Sequence, residues 1–231
     1  MPVDEYEYYG KFKQDKFLNK YFFKDKKNGT FVDIGSYNGI LNNNTWFFEK
    51  ELNWEGICCE PLPNIFPALM NNRTDKSKNI ECVVGEQNRI VAFTKNLGIT
   101  ELFSYVTDIC DVRYKDRISA LMGLKGGFRD IIKVKSHRLE TIFDQIKVTN
   151  VDYISISTVG SELSVLKSIN FDKVFVHIIS FDNTFPDLSE DIVNYLKQKG
   201  FVFITNLGSD IFMIHEKSEF IPEDKSFKVE L

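Results

Sequence analysis

Short apolar runs and segments with helical spacing alternate along most of this chain. The runs, typical of buried strands, cover 31–34, 56–59, 80–84, 131–134, 151–156 and 174–181. Segments with apolar residues three or four positions apart, typical of helices packed on one face, cover 46–54, 62–72, 139–146, 163–169 and 188–196. This alternation predicts an α/β fold with a doubly wound, mostly parallel sheet.

The two ends of the chain complete this pattern. Apolar runs at 201–205 and 211–215 are joined by five turn-forming residues, which predicts a closing hairpin and an antiparallel final strand. In the N-terminal segment, 1–29, aromatic residues approximate helical spacing and Asn28-Gly29 is typical of a helix stop. We therefore expect an N-terminal helix beside the first strand, and one domain over 1–231.

The middle of the chain is less regular. The apolar run within residues 89–93 predicts a short extra strand, with a hairpin insertion as its context. Residues 95–131 hold four glycines and a polar, aromatic stretch without clear periodicity. Glycine-punctuated segments in nucleotide-binding folds often form lids or substrate loops. The sequence predicts a variable lid or acceptor loop, or else mobile surface structure without a role.

Residues 30–61 carry the chemistry. A strand breaks into the turn Asp33-x-Gly35-x-x-x-Gly39, a helix follows, and a second strand ends in Glu60. Glycines let backbone N–H groups approach a ligand, and an acid after the second strand can accept ribose hydroxyls. The turn lacks the G-x-G-x-x-G of dinucleotide sites and contains an acid, which favours the cationic S-adenosylmethionine (SAM) over NAD. An ordinary strand–turn–helix with a glycine cap is the alternative.

Four stretches carry a family resemblance. They are YGKFKQDKFLNKYFFKDKKNGTFVDIGSYNG from Tyr9, NTWFFEKELNWEGICCEP from Asn44, the Cys82-Val83-Val84 run, and DYISI with GSELSVLKSINF from Asp152. In combination they resemble the FkbM-type SAM-dependent methyltransferases. The resemblance implies a class I, Rossmann-like fold of seven strands with SAM at the carboxyl ends of the first strands. It also implies O-methylation of a small hydroxylated acceptor, often a sugar or a polyketide-like alcohol.

The same resemblance assigns cofactor-binding roles residue by residue. The matched positions are the turn residues Asp33, Gly35, Ser36, Asn38 and Gly39, the polar pair Asn44 and Thr45, the ribose acid Glu60 with Pro61, and Glu86 beside the adenine. These ten residues are our predicted SAM site.

The acceptor side departs from the family pattern. The acids expected at Ser157 and Val159 are missing, Glu162 and Asp182 remain, and Asn183 replaces a histidine. We take Asp182, Asn183, Ser157 and Glu162 as the catalytic candidates and predict no resident metal, because Ser157 offers only a neutral hydroxyl. The alternative is a weak or inactive binding or assembly module that retains the SAM half.

Charge and composition indicate which classes of partner are not expected. Formal net charge is −4 without an evident basic block, so we expect no non-specific nucleic-acid binding. No apolar run approaches the ~20 residues of a membrane span and the N-terminus is no signal peptide, so we expect no membrane partner and a cytoplasmic location. The four cysteines lack zinc spacing and are expected to be buried thiols. His177 and His215 are interpreted as core residues, and His137 as a possible base.

Overall fold

The computed structural model describes residues 6–222. Its strands are β1 (Thr30–Ile34), β2 (Glu55–Cys59), β3 (Ser77–Ile80), β4 (Val83–Val84), β5 (Arg89–Asn96), β6 (Tyr105–Val106), β7 (Arg129–His137), β8 (Asn150–Ile156), β9 (Phe175–Asp182), β10 (Phe201–Leu207) and β11 (Asp210–His215). Its α-helices are α1 (Gln14–Leu18), α2 (Trp46–Leu52), α3 (Phe66–Asn72), α4 (Val112–Lys125), α5 (Leu139–Ile146), α6 (Glu162–Lys167) and α7 (Pro186–Gln198). A π-helical turn, Asn19–Phe23, continues α1, and a 3₁₀ helix, Gly98–Phe103, follows β5.

Seven strands form the central sheet in the order β10-β11-β9-β8-β1-β2-β3. Their pairs are parallel except those of β11, which is antiparallel to both β10 and β9. The predicted fold class, a doubly wound α/β sheet with an antiparallel final strand, is confirmed. Chain order reverses at β1, which lies between β2 and β8, and a crevice is expected at the carboxyl ends of the strands there.

Each face of the central sheet has its own core. Successive β1 residues alternate between them: Phe31 enters an aromatic core and Val32 an aliphatic one. The aromatic core includes Phe47, Phe48, Trp54, Tyr153 and Phe212, all fully buried under the N-terminal segment and α2. Burial on both faces explains why these strands read as continuous apolar runs in the sequence.

The chain also forms a second sheet, in the order β4-β7-β5-β6, and one predicted strand is divided between the two sheets. The run 80–84 was expected to form a single third strand of the main sheet. The chain instead leaves the central sheet after β3, turns at Glu81–Cys82, and pairs β4 in parallel with the end of β7. The extra strand expected at 89–93 is confirmed as β5, which extends to Asn96 and pairs antiparallel with β7.

The prediction that residues 95–131 lack regular secondary structure is wrong. This segment contains the 3₁₀ helix, β6 and α4, which at 14 residues is the longest helix of the described chain. Only Tyr114 and Ile118 of α4 are buried, so its apolar stripe is too sparse to stand out in the sequence. Asp111 caps it by accepting the N–H of Arg113 at 2.8 Å. The N-terminal helix is present but ends at Phe23 rather than near Asn28.

Candidate cofactor cleft and acceptor crevice

A cleft opens at the carboxyl ends of β1, β2 and β8, where the strand order reverses. Its empty space, counted together with the solvent at its open mouth, is about 970 Å³. The turns after these three strands form its floor and one side. The 3₁₀ helix and β6 supply the opposite wall through Glu101, Leu102 and Tyr105.

The turn after β1 is fixed by a close backbone approach at Gly35. Its φ is +81°, and an added Cβ would lie 2.4 Å from the carbonyl oxygen of Ser157, so only glycine fits. The N–H groups of Gly35 and Ser36 both donate to the Cys59 carbonyl oxygen, at 3.0 and 3.1 Å. These donors therefore join β1 to β2, whereas the sequence reading directed them toward a ligand.

The carboxylate of Glu60 is held by the backbone on both oxygens. Oε2 accepts the N–H of Tyr37 at 2.8 Å, and Oε1 accepts the N–H of Leu62 at 2.9 Å. The side chain is 4% exposed, and burial raises the pKa of Glu60 to about 7, with Asp33 and Glu101 contributing in the same direction. Glu60 thus presents a fixed carboxylate to the cleft.

Asp33 belongs to a buried ion network that the sequence did not indicate. Its Oδ2 accepts hydrogen bonds from Asn43 Nδ2 at 2.7 Å and Thr45 Oγ1 at 2.9 Å. The guanidinium of Arg73 lies 3.1 Å from the same oxygen and 2.8 Å from Oε2 of Glu49, with its side chain fully buried. Burial raises the pKa of Asp33, and the Arg73 charge opposes that rise. The network fixes the floor of the cleft.

Six of the ten predicted cofactor residues line the cleft: Asp33, Gly35, Ser36, Asn44, Glu60 and Pro61. The other four lie elsewhere. Asn38 accepts the N–H groups of Ile40 and Leu41 within the turn, and a Cβ on Gly39 would press on α3. Thr45 is buried in the Arg73 network, and Glu86 lines a smaller neighbouring pocket.

Sequence reasoning missed the polar groups that the 3₁₀ helix brings to the cleft. Glu101 Oε2 accepts the hydroxyl of Tyr37 at 3.1 Å, and Oε1 accepts Nδ2 of Asn64 at 2.7 Å. Within the described chain, no lysine, arginine or histidine lines the cleft, whereas Asp33, Glu60 and Glu101 do. Asn44 also lines the cleft, and its buried Oδ1 has no hydrogen-bond partner among the described residues. The cleft is therefore acidic.

The catalytic candidates lie around the neighbouring strand ends. Ile156 of β8 pairs with Phe181 of β9, so Ser157 and Asp182 follow side by side at one edge of the sheet. Ser157 lines the cofactor cleft, but Asp182, Asn183 and Glu162 do not. Glu162 is buried, accepts Thr158 Oγ1 at 2.9 Å and the Gly160 N–H at 3.1 Å, and burial raises its pKa to about 7.

Tyr114 of α4 lies over the end of β9, and we call the space between Ser157, Asp182 and Tyr114 the acceptor crevice. Its hydroxyl donates to Asp182 Oδ1 at 3.1 Å, and its ring packs edge-to-face on Phe185. Asp182 Oδ1 also accepts the Thr184 N–H at 2.7 Å. The side chain of Asn183 leaves its buried Oδ1 unpaired. The segment predicted as a lid or acceptor loop thus supplies a hydroxyl group that rests on a predicted catalytic acid.

The histidines lie outside the cofactor cleft. His177 is buried, its Nδ1 lies 2.9 Å from Ser218 Oγ and its Nε2 lies 3.2 Å from Asn150 Oδ1, which confirms its interpretation as a core residue. His215 packs on Phe175 and Phe201. His137 ends β7 and does not line the cleft.

Possible ligands for a cation gather at the opposite edge of the sheet. Ligand atoms of Asp152, His177 and Glu219 lie within 4.8 Å of one another. The ammonium of Lys26 already lies 2.7 Å from Asp152 and 3.7 Å from Glu219. The four cysteines are buried free thiols, of which Cys59 and Cys82 line the cofactor cleft. In residues 6–222, no helix has the length and apolarity needed to cross a bilayer.

Comparisons with solved structures return chains of low sequence identity, several of which are described as methyltransferases or methylases. A crystal structure of methyltransferase FkbM from Methylobacillus flagellatus matches with 14% identity and a TM-score of 0.47, covering 83% of this chain but only 44% of that one. A putative rRNA methylase from Clostridium thermocellum matches with 11% identity and a TM-score of 0.46, covering 90% and 95%. The fibrillarin pre-rRNA processing protein of Methanococcus jannaschii matches with 11% identity and a TM-score of 0.44, covering 83% and 68%. A search of curated proteins found no match.

A family model gives the assignment. The model of the methyltransferase FkbM domain matches residues 33–203, which run from the acid of the first turn to the start of β10. The matched segment is nearly three quarters of the chain and includes the whole cofactor cleft and the acceptor crevice. This chain therefore belongs to the FkbM methyltransferase family.

Proposed function

We propose that this protein transfers a methyl group from SAM to a hydroxyl of a small acceptor such as a sugar. The observation that carries the cofactor assignment is the acidic cleft, lined by Asp33, Glu60 and Glu101 without a basic side chain among the described residues. A site lined by acids and by no cation attracts the sulfonium and ammonium of SAM and repels the pyrophosphate of NAD. SAM, when bound, would supply the methyl group.

The residues present fit the parts of SAM. Glu60, fixed by two backbone N–H groups, can accept both ribose hydroxyls. The apolar wall of Leu62, Val83 and Phe93 suits a purine ring. Asn44 Oδ1, a buried acceptor without a partner, suits the α-ammonium. The contacts that Ser36 and Gly35 make with Cys59 hold this frame in place.

Support for a hydroxyl acceptor comes from Asp182. Its carboxylate already accepts one O–H group, that of Tyr114, at the carboxyl edge where the cleft lies. An acceptor hydroxyl that replaced Tyr114 would meet a group able to take its proton, while Ser157 beside it could orient the acceptor. We propose Asp182 as the general base. The sugar-like acceptor class follows from the family resemblance.

A second candidate function is a binding or assembly module without turnover. It is favoured by the neutral residues at Ser157 and Val159 and by the seal that Tyr114 forms over Asp182. Under this proposal the cleft still binds SAM, but no acceptor reaches the acid. Methyl-transfer assays distinguish the two functions.

SAM affinity is expected to rise with pH until about pH 7 and then level off. The ribose hydroxyls bind the ionised form of Glu60, whose pKa in the free protein is raised to about 7, so bound SAM lowers this pKa. Below pH 7 a proton must leave on binding, and Kd should increase by up to about tenfold per pH unit. Titration calorimetry from about pH 5.5 to pH 7.5 with SAM, and with NAD as the control ligand, measures this. A flat SAM profile, or tighter binding of NAD, would contradict the cofactor assignment.

Asp182→Asn is expected to lower methyl transfer by ~10²–10⁴, the usual loss on removing a positioned base. Tyr114→Phe frees Asp182 and should leave kcat within a few-fold while lowering KM for the acceptor. Labelled-methyl transfer from SAM across a panel of sugars measures both. Asp172→Asn, an exposed aspartate after α6, is the matched control. Full activity of Asp182→Asn would exclude it as the base, and SAM binding without transfer to any acceptor would favour the second function.

A further inference from the structure

Basic residues are concentrated in one segment of this acidic protein. Residues 113–138, from α4 through β7, contain eight of the chain's 29 lysines and arginines but only two of its 33 acids. The remaining residues therefore hold 21 basic and 31 acidic side chains. The overall net charge of −4 conceals this asymmetry, which the sequence analysis overlooked. Such asymmetry is typical of proteins that bind an anionic surface.

The turn between α4 and β7 exposes large apolar side chains within this basic segment. Every residue from 123 to 131, named here the α4–β7 tip, is exposed. Leu124 is 82% exposed, Phe128 78% and Ile131 61%. Lys125 and Arg129 alternate with them along the chain, and Lys133 follows on the same face of β7 as Ile131. Exposed apolar side chains grouped in one short segment are typical of a surface that contacts a partner.

The backbone of the tip is well anchored, so this exposure does not come from a frayed end. The Phe128 carbonyl accepts the Leu97 N–H at 2.9 Å, and Arg129 pairs with Asn96 across β5 and β7. The Arg129 guanidinium donates to Asn96 Oδ1 at 3.2 Å and to Ser119 Oγ at 3.3 Å. The fold therefore holds Leu124 and Phe128 in solvent.

The tip lies beside the 3₁₀ helix, which carries exposed apolar side chains and lines the cofactor cleft. A Cβ on Gly127 would lie 3.4 Å from Thr100 Oγ1, so the tip adjoins the 3₁₀ helix. On that helix Phe103 and Leu102 are more than one third exposed, and Leu102 lines the cleft. Across the mouth of the cleft, Leu41 is 49% exposed. The tip therefore adjoins the helix that supplies one wall of the cleft.

We propose that the α4–β7 tip docks on an anionic lipid bilayer, with Leu124 and Phe128 entering the acyl boundary. Lys125, Arg129 and Lys133 would then contact anionic headgroups. Interfacial anchors combine these two features, because exposed apolar chains supply burial and nearby cations supply attraction to acidic lipids. A nucleic acid would use the cations but gain little from the aliphatic Leu124 and Ile131. A second copy of the chain would need a groove for these side chains, whereas the tip offers only projecting ones.

Vesicle flotation of the full-length protein tests the proposal. We expect binding to vesicles with ~30% phosphatidylserine, little binding to pure phosphatidylcholine, and loss of binding as salt rises from ~0.1 M to ~0.5 M. The double variant Leu124→Ser/Phe128→Ser should lower the partition coefficient at least about tenfold, since it removes the inserted groups. Lys125→Gln/Lys133→Gln should lower it about tenfold on acidic vesicles. The matched control is Val202→Ser/Phe203→Ser, which changes two half-exposed apolar residues of β10.

Each outcome decides the proposal. Binding that needs acidic lipid and is lost only in the tip variants supports it. Four outcomes overturn it: no binding to acidic vesicles, equal binding by Leu124→Ser/Phe128→Ser, tip-dependent self-association by light scattering, and tip-dependent binding of single-stranded RNA in preference to vesicles. Circular dichroism of each variant shows that it is folded. The test needs no methyl transfer, so its result is independent of the proposed function.

Discussion

Glu60→Ala is expected to weaken the binding of SAM by more than ~100-fold. The substitution removes two charge-assisted hydrogen bonds to the ribose, each contributing ~1.5–3 kcal/mol, and ~1.4 kcal/mol corresponds to a tenfold change in Kd. The effect should be large because the carboxylate is preorganised by Tyr37 and Leu62 and is 4% exposed, so water cannot replace it well. Titration calorimetry at pH 7.5, where the carboxyl is largely ionised, measures the change.

Two further variants separate binding from folding. Glu60→Gln retains a side chain of nearly the same size but loses the charge, so its affinity should lie between those of the parent and Glu60→Ala. Glu101 also lines the cleft, and Glu101→Gln should change the affinity for SAM by less than about tenfold. If Glu60→Ala keeps its fold and still binds SAM within about threefold of the parent, Glu60 is not the ribose ligand.

Arg73→Met is expected to destabilise the folded protein by ~3–5 kcal/mol, because removing one partner of a buried ion pair leaves the others uncompensated. Here two carboxylates, Asp33 and Glu49, would lose their only bound guanidinium among the described residues. Nη2 of Arg73 also donates to Asn43 Oδ1 and Thr45 Oγ1, at 2.8 and 2.7 Å. These acceptors would remain buried without that donor.

Urea unfolding followed by circular dichroism measures this loss. Arg117→Met is the matched control, since Arg117 is exposed on α4 and its loss should change the free energy of unfolding by less than about 0.5 kcal/mol. Arg73→Lys should fall between the two, because an ammonium cannot reproduce the fork that reaches both acids. A loss below about 1 kcal/mol in Arg73→Met would show that water or rearrangement compensates the acids.

The sequence pattern predicted those elements whose burial is continuous. Strands β1, β8 and β9 are covered on both faces, and α5 has a dense apolar stripe, so each gave a clear signal. The short strands β3 and β4 were merged into one, because a two-residue strand has no periodicity of its own. Helix α4 was missed because it buries only two side chains.

The candidate site was predictable where chemistry follows a strand end. Glu60 and Asp33 could be found in this way, since each lies at the carboxyl edge of its strand. Arg73 and Glu101 could not, because their positions beside Asp33 and Tyr37 depend on packing between segments distant in the sequence. The sequence likewise could not show that the N–H groups of Gly35 and Ser36 donate to the Cys59 carbonyl oxygen, because this depends on how the chain segments pack.

The reversal of strand order at β1 also constrains how the chain reaches its native state. Phe31 of β1 pairs with Tyr153 of β8, so β8, the second neighbour of β1 in the sheet, is synthesised more than a hundred residues after β1. Pairings this distant in sequence are slow to form, because a long loop must close before any contact stabilises it. During synthesis, the side of β1 that faces away from β2 therefore stays unpaired until β8 has emerged from the ribosome. The cleft, whose floor includes the turn after β8, can form only then, so a ligand of the cleft cannot assist the earlier steps of folding.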